Sequence, residues 1–133
     1  MPEQREYDVI VLRGGSTGEN AAWYARENGL SAVVVESELI GGECSYWACM
    51  PSKALLRPGE VLAAARRVPA AQPAVTGDVD VEAALRSRDG FTSGWNDESQ
   101  AQRLAGVDVV RGRGWLAGER TVEVQAQAQD GLR

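Results

Sequence analysis

A chain of 133 residues fits one domain and can bury a core of its own. Its formal charge of −5 arises within residues 1–50, which hold three basic and eight acidic side chains, so no basic patch invites nucleic acid; no aliphatic run could span a bilayer, and the polar start over residues 1–6 has no signal segment, which sets the cytoplasm as the expected compartment. Histidine is absent, excluding any mechanism that needs an imidazole base from this chain, and two cysteines without histidine are too few for a zinc site.

Residues 7–12, Tyr7-Asp8-Val9-Ile10-Val11-Leu12, form a short branched run ending in glycines and read as a buried parallel strand. A helix is expected from residue 17 or 18 to 28. Gly18, Ala22, Ala25 and Gly29 make a narrow stripe of small residues along it, letting it lie close on a sheet, and Gly29 is its natural stop. Residues 31–36 supply the second strand, completing a βαβ unit with a right-handed crossover.

Between the first strand and its helix, a dinucleotide site wants G-x-G-x-x-G: one glycine for the tight turn, one for close approach of the pyrophosphate, one for helix packing. The helix N-terminus then offers N–H groups to the phosphates. The window here is Arg13-Gly14-Gly15-Ser16-Thr17-Gly18, with Gly15 and Gly18 in the second and third positions and Arg13 where the first glycine belongs. Arg13 either damages the turn, at a backbone cost of about 1–3 kcal/mol and with a long side chain in the way, or pairs with a phosphate. The damaging reading is favoured. Glu36, 21 residues after Gly15 at the end of the second strand, stands where an acid accepts hydrogen bonds from the adenosine ribose.

A turn at Leu39-Ile40-Gly41-Gly42 leads to the two cysteines, Cys44 and Cys49. In a regular helix, residues five apart lie about 7.5 Å apart along the axis. Disulfide Cα atoms rarely exceed about 7 Å. A Cys44–Cys49 bridge therefore demands distorted helical geometry, and a strained ring near a helix start suits reversible chemistry. On spacing alone, a redox pair and two unrelated thiols remain equally open. Pro51 and Pro58 predict breaks in the helical stretch that runs to about residue 67. Residues 69–80 read as a surface connection. Residues 81–104 read as helical, broken near Gly90 and Gly94 and ended by Gly106. Strands are expected at 107–110 and 121–124, with a polar tail over 125–133. Trp23, Trp47, Trp95 and Trp115 are expected to be packing residues; Asp78, Asp80 and Glu82 match no calcium loop and read as a solvated face.

The stretch Gly41-Gly42-Glu43-Cys44-Ser45-Tyr46-Trp47-Ala48-Cys49-Met50-Pro51-Ser52-Lys53, downstream of a dinucleotide βαβ unit, closely resembles the flavin-dependent pyridine nucleotide–disulfide oxidoreductases. That family includes dihydrolipoamide dehydrogenase, glutathione reductase and mercuric reductase. The likeness extends to the later Gly112-Arg113-Gly114 and matches only the beginning of a family chain. It implies an α/β fold: an incomplete Rossmann-like FAD-binding domain over residues 1–133, with parallel sheet, helices and the start of a β-meander. It implies FAD as cofactor, with NAD(P)H as electron donor in a full-length parent. Cys44 would exchange with a small-molecule or disulfide substrate, and Cys49 would pass electrons to the flavin. Gly14, Gly15, Thr17, Gly18 and Gly42 would line the cofactor. Glu36 would hold its ribose, Glu43 would lie near its phosphates, Lys53 near its reactive ring edge, and Gly114 near its adenine.

Family members also carry an NAD(P)H domain and a dimerisation domain, which supplies a His–Glu pair. Neither has a counterpart in these residues, nor has the later segment that completes the FAD domain, so a chain that is marginally stable alone, prone to association, or a truncated product is expected. The alternative function is a nucleotide-binding or dithiol remnant without turnover. A third reading, a structural disulfide domain, needs a bond that survives reducing buffer.

Overall fold

The computed structural model describes residues 3–126. Residues in this span form two compact units. The first comprises residues up to Gly42 together with those from Asp97 onward; the second runs from Glu43 to Asn96.

In the first unit, β1 (Val9–Leu12), α1 (Ser16–Glu27) and β2 (Ala32–Glu36) build the expected βαβ unit. Helix α5 (Glu98–Gln102), β3 (Asp108–Gly118) and β4 (Thr121–Ala126) follow. The sheet order is β1-β2-β3-β4. Strands β1, β2 and β3 are parallel, with Val9 opposite Ala32 and Val33 opposite Asp108. Strand β2 lies in the middle and every residue in it is buried, which is why it reads as an unbroken apolar run. Strand β1 departs from expectation. Its four residues are only half-buried, because it has one neighbour, β2, among the described residues. Ahead of it, the Asp8 carboxylate accepts from the Ser31 backbone N–H (2.8 Å) and hydroxyl (2.6 Å), tying together the starts of the two strands.

Ala22 and Ala25 present the small-residue stripe of α1 to the sheet and are buried with Ala32, Val34, Ile40, Leu104 and Val107. Gly29, at φ +77°, ends the helix region as its stripe predicts. Strand β3 is longer than the four residues expected. Its first part pairs with β2, and from Gly112 it switches to antiparallel pairing with β4 through the two-residue turn at Glu119 and Arg120. Gly112-Arg113-Gly114 thus lies inside the strand, at the switch. The expected polar tail falls partly on β4, which reaches Ala126; residues 127–133 lie outside the described residues.

The second unit holds α2 (Gly42–Tyr46, starting at the boundary), α3 (Cys49–Arg67) and α4 (Val81–Phe91), with short 3-10 turns at Gln72–Ala74 and Ser93–Trp95. The proline breaks do not occur where expected. Pro51 sits in the first turn of α3, where a missing N–H leaves no bond unmade, and Pro58 is carried inside a helix that α4 packs against. Gly90 lies within α4; the chain breaks at Gly94, at φ +61°. Asp80 caps α4 by accepting from the Ala83 N–H, Asp78 pairs with Arg66 at 2.9 Å and Glu82 with Arg86 at 3.6 Å, so all three acids of the solvated face have structural partners. The tryptophans depart from the packing reading. Trp23, Trp47 and Trp115 are all more than one-third exposed, Trp47 in the turn between α2 and α3. Trp95 is half-buried beneath the Arg88 guanidinium, 5.1 Å from its ring centre.

Candidate functional site

The turn between β1 and α1 is held from three sides. The Arg13 N–H donates to the Val35 carbonyl at 2.9 Å, fixing the end of β1 against β2. The Gly14 N–H donates to Glu36 Oε2 at 2.6 Å, and the Gly14 carbonyl accepts from Gly41 N–H at 2.7 Å. Gly15 pairs with Gly41 and is the residue immediately before α1, where no side chain caps the helix. The first free N–H groups of a twelve-residue helix therefore open directly above the turn.

The glycines have distinct reasons. A side chain at Gly18 would run into the Arg13 carbonyl oxygen, so Gly18 serves close helix packing. At Gly42, φ is +58° and an added Cβ would approach Gly15 Cα to 2.8 Å. Gly15 is different: an added Cβ would meet nothing within 4 Å. Among the described residues no packing requires glycine there, whereas close approach of a phosphate would. Thr17 lies exposed in the first turn of α1. An added Cβ at Gly114 would meet Val35 and Leu12 side chains at 2.8 and 2.9 Å, so this glycine has a packing reason of its own. It also borders an open groove of about 220 Å³ lined by Leu12, Arg13, Val35, Ser37 and Gly112.

Glu36 is 2% exposed and accepts from two backbone N–H groups, Gly14 on Oε2 and Glu38 on Oε1 (2.8 Å). Arg13 stands at φ +80°, the left-handed region that favours glycine. Its guanidinium lies 3.6 Å from Glu36 Oε1 and 3.5 Å from Glu38 Oε1. The loop after β2 has further supports that sequence reading missed. Asp97 accepts from the Ile40 N–H at 2.6 Å and pairs with Arg111 at 2.7 Å, while Arg111 also donates to the Glu38 carbonyl. The signal that finds them is register: Arg111 lies opposite Glu36 across β2 and β3, a pairing no local pattern reveals.

In the second unit, α2 ends because the Glu43 carbonyl accepts from both Trp47 N–H (2.9 Å) and Ala48 N–H (2.6 Å). Ala48 then leaves helical geometry at φ −124°, ψ −88°, and Cys49 begins α3. The distortion demanded by the spacing is thus real, and lies between the cysteines rather than at Pro51. Both thiols are reduced and half-buried. They share a hydrogen bond, which is the largest cause holding the Cys44 thiol above its ordinary pKa; desolvation and the Cys49 charge act in the same direction, and the Lys53 ammonium opposes them. Lys53 is exposed one turn beyond Cys49 on α3, and Glu43 is exposed in the first turn of α2. Two thiols in contact can lose two electrons and two protons to form one disulfide.

The turn, the buried acid and the open position above Gly15 fit an adenine dinucleotide; Arg13 is the one residue at odds with it. Among the described residues no cluster could hold a metal ion, and no helix is long and apolar enough to cross a membrane.

Residues 7–130 match the family model described as pyridine nucleotide-disulphide oxidoreductase. A mercuric reductase of Staphylococcus aureus is 30% identical over 125 residues, covering 92% of this chain and 23% of its own. A dihydrolipoyl dehydrogenase of Chlorobaculum tepidum is 34% identical over 122 residues, covering 90% of this chain and 26% of its own. The chain thus spans about a quarter of the length of these curated relatives. A similar fold occurs in the Cu(II) complex of the HOCl-induced flavoprotein disulfide reductase RclA from Escherichia coli, with a TM-score of 0.72 at 15% identity over 96% of this chain and 26% of that one.

Proposed function

The chain belongs to the pyridine nucleotide-disulphide oxidoreductase family, and we propose that it is an FAD-binding, dithiol-bearing segment that passes electrons from NAD(P)H, by way of FAD, to a Cys44–Cys49 pair. The observation that carries this reading is the placement of two free, half-buried cysteines on either side of the break that separates α2 from α3, Cys44 within α2 and Cys49 opening α3. Gly14, Gly15, Thr17 and Gly18, with the N-terminus of α1, would hold the cofactor's phosphates; Gly42 and Glu43 would extend that cradle, and Glu36 would take its ribose hydroxyls. Gly114 would border the adenine end, and Lys53 would serve the flavin end. FAD, when bound, supplies the two-electron chemistry that returns the disulfide to the dithiol.

The residues themselves account for the exchange. The Cys44 thiolate attacks one sulfur of a small-molecule disulfide, forming a mixed disulfide and releasing one thiolate. The Cys49 thiolate then attacks the Cys44 sulfur. The Cys44–Cys49 bond forms, the mixed bond breaks, and the second substrate thiol leaves. Two protein thiols are oxidised and one substrate disulfide is reduced. Lys53 assists by favouring the Cys44 thiolate. The reducing cytoplasm is the setting in which such a pair cycles rather than remaining bridged. NAD(P)H would supply the electrons, and a homodimer would complete the enzyme.

Arg13 favours a second reading, a dithiol or nucleotide-binding remnant without turnover, since its guanidinium pairs with the buried acid that a ribose would use. Reaction of the reduced chain with dithiobis(nitrobenzoate), alongside a fluorescence titration with FAD, separates the two. The enzyme-segment reading expects release of about two equivalents of chromophore with no adduct retained, one stable adduct in Cys49→Ser, and FAD binding. Adducts on both cysteines, or no FAD binding, would support the remnant.

A further inference from the structure

Resting on the FAD reading above, we infer that Arg13 sets the nucleotide affinity of this turn, because its guanidinium competes with the ribose for Glu36. The backbone of Arg13 is fixed: its N–H bonds the Val35 carbonyl, and its own carbonyl faces the space that Gly18 leaves free. Its φ of +80° is therefore imposed by the fold and does not relax when a side chain replaces glycine. The side chain leaves the turn and, although largely exposed, runs to the acids after β2, 3.6 Å from Glu36 and 3.5 Å from Glu38.

Glu36 is the decisive partner. An ionised carboxylate accepts about four hydrogen bonds. Two positions are taken by the Gly14 and Glu38 N–H groups, which hold the carboxylate in place. The remaining capacity is what a ribose diol would use. Arg13 lies on Oε1 and supplies a full positive charge to a carboxylate that is 97% shielded from solvent at its side chain. A ribose must therefore displace a guanidinium, rather than meet a free carboxylate. The contact is an ion pair at 3.6 Å, screened by solvent on the arginine side, so the competition is worth up to about tenfold in affinity.

Two variants separate charge from backbone. Arg13→Gln keeps the strained φ and removes the charge; Arg13→Gly removes both. Binding of FAD and of 5′-ADP is measured by fluorescence titration and calorimetry at low ionic strength, with Tm recorded for each protein. Arg13→Gln is expected to bind both about tenfold more tightly than the parent. Arg13→Gly is expected to match or exceed that gain and also to raise Tm. Glu36→Gln is expected to remove the gain when added to Arg13→Gly, and to change the parent's affinity less.

Equal affinities in parent, Arg13→Gln and Arg13→Gly overturn the inference and leave FAD binding intact. Weaker binding in Arg13→Gln also overturns it, by making Arg13 a phosphate ligand. Failure of every protein, Arg13→Gly included, to bind FAD overturns the flavin reading and this inference with it.

Discussion

The Cys44 thiol illustrates how one hydrogen bond tunes a reactive group. The bond it shares with Cys49 favours its protonated form, so Cys44 ionises above the ordinary thiol value, and Lys53 limits that rise. The rate of Cys44 alkylation by iodoacetamide, followed across pH in Cys49→Ala, is expected to show a lower midpoint than in the parent; Lys53→Met is expected to raise it. An unchanged midpoint in both variants would mean that neither neighbour acts on Cys44. The stability linkage has the same sign. A folded pKa raised above the unfolded one contributes stability at neutral pH, and that contribution is lost as pH rises through the raised value. Denaturant midpoints of the reduced chain should therefore fall on the alkaline side relative to a Cys44→Ala control.

The glycines of the turn give a sharper contrast. Gly18→Ala forces a methyl group into the Arg13 carbonyl and is expected to destabilise the chain by about 2–3 kcal/mol in a denaturant titration. Gly15→Ala meets open space and is expected to change stability by under about 1 kcal/mol, yet to weaken FAD binding at least tenfold. Substantial unfolding by Gly15→Ala would contradict its reading as a ligand-facing position. Gly15, Gly18, Glu36 and the cysteine pair stand out in the sequence as candidates because their spacing is short and chemically constrained. Arg13 was legible as a misfit in a glycine position, and the structure adds where its side chain goes. Glu38, Asp97 and Arg111 were not legible, because they meet only through strand register and a loop far apart in sequence.

At the scale of elements, α3 is the instructive case. Pro58 forgoes one helical hydrogen bond and crowds the preceding turn, yet the helix continues through Arg67 against α4. Local propensity called for a break and tertiary packing overrode it. Since an interior proline costs about 3 kcal/mol and replacing it gives up to about 1 kcal/mol back to the unfolded chain's entropy, Pro58→Ala is expected to stabilise the chain by about 2 kcal/mol. A lower Tm for that variant would mean that the proline ring is packed rather than tolerated. The βαβ unit is legible in the sequence because its apolar runs and small-residue stripe are local patterns. The extension of β3 is not, because Arg111 to Gly118 carries charge and glycine and becomes a strand only by pairing with β2 and then β4.

For the whole molecule, the fold assembles a nucleotide-type turn in one compact unit and a dithiol in another. Neither division nor edge exposure was visible in the sequence. Strand β1 looks as apolar as β2, but only their positions in the sheet decide which is buried. The dithiol is the part on which the proposed chemistry depends. Its most direct test is the intact mass of the chain equilibrated in a series of glutathione redox buffers and quenched with acid. The account predicts a reversible loss of two hydrogens' mass per monomer, abolished by Cys44→Ser or Cys49→Ser. A chain that stays fully reduced across the series, or oxidises only to cross-linked dimers and glutathione adducts, would contradict it.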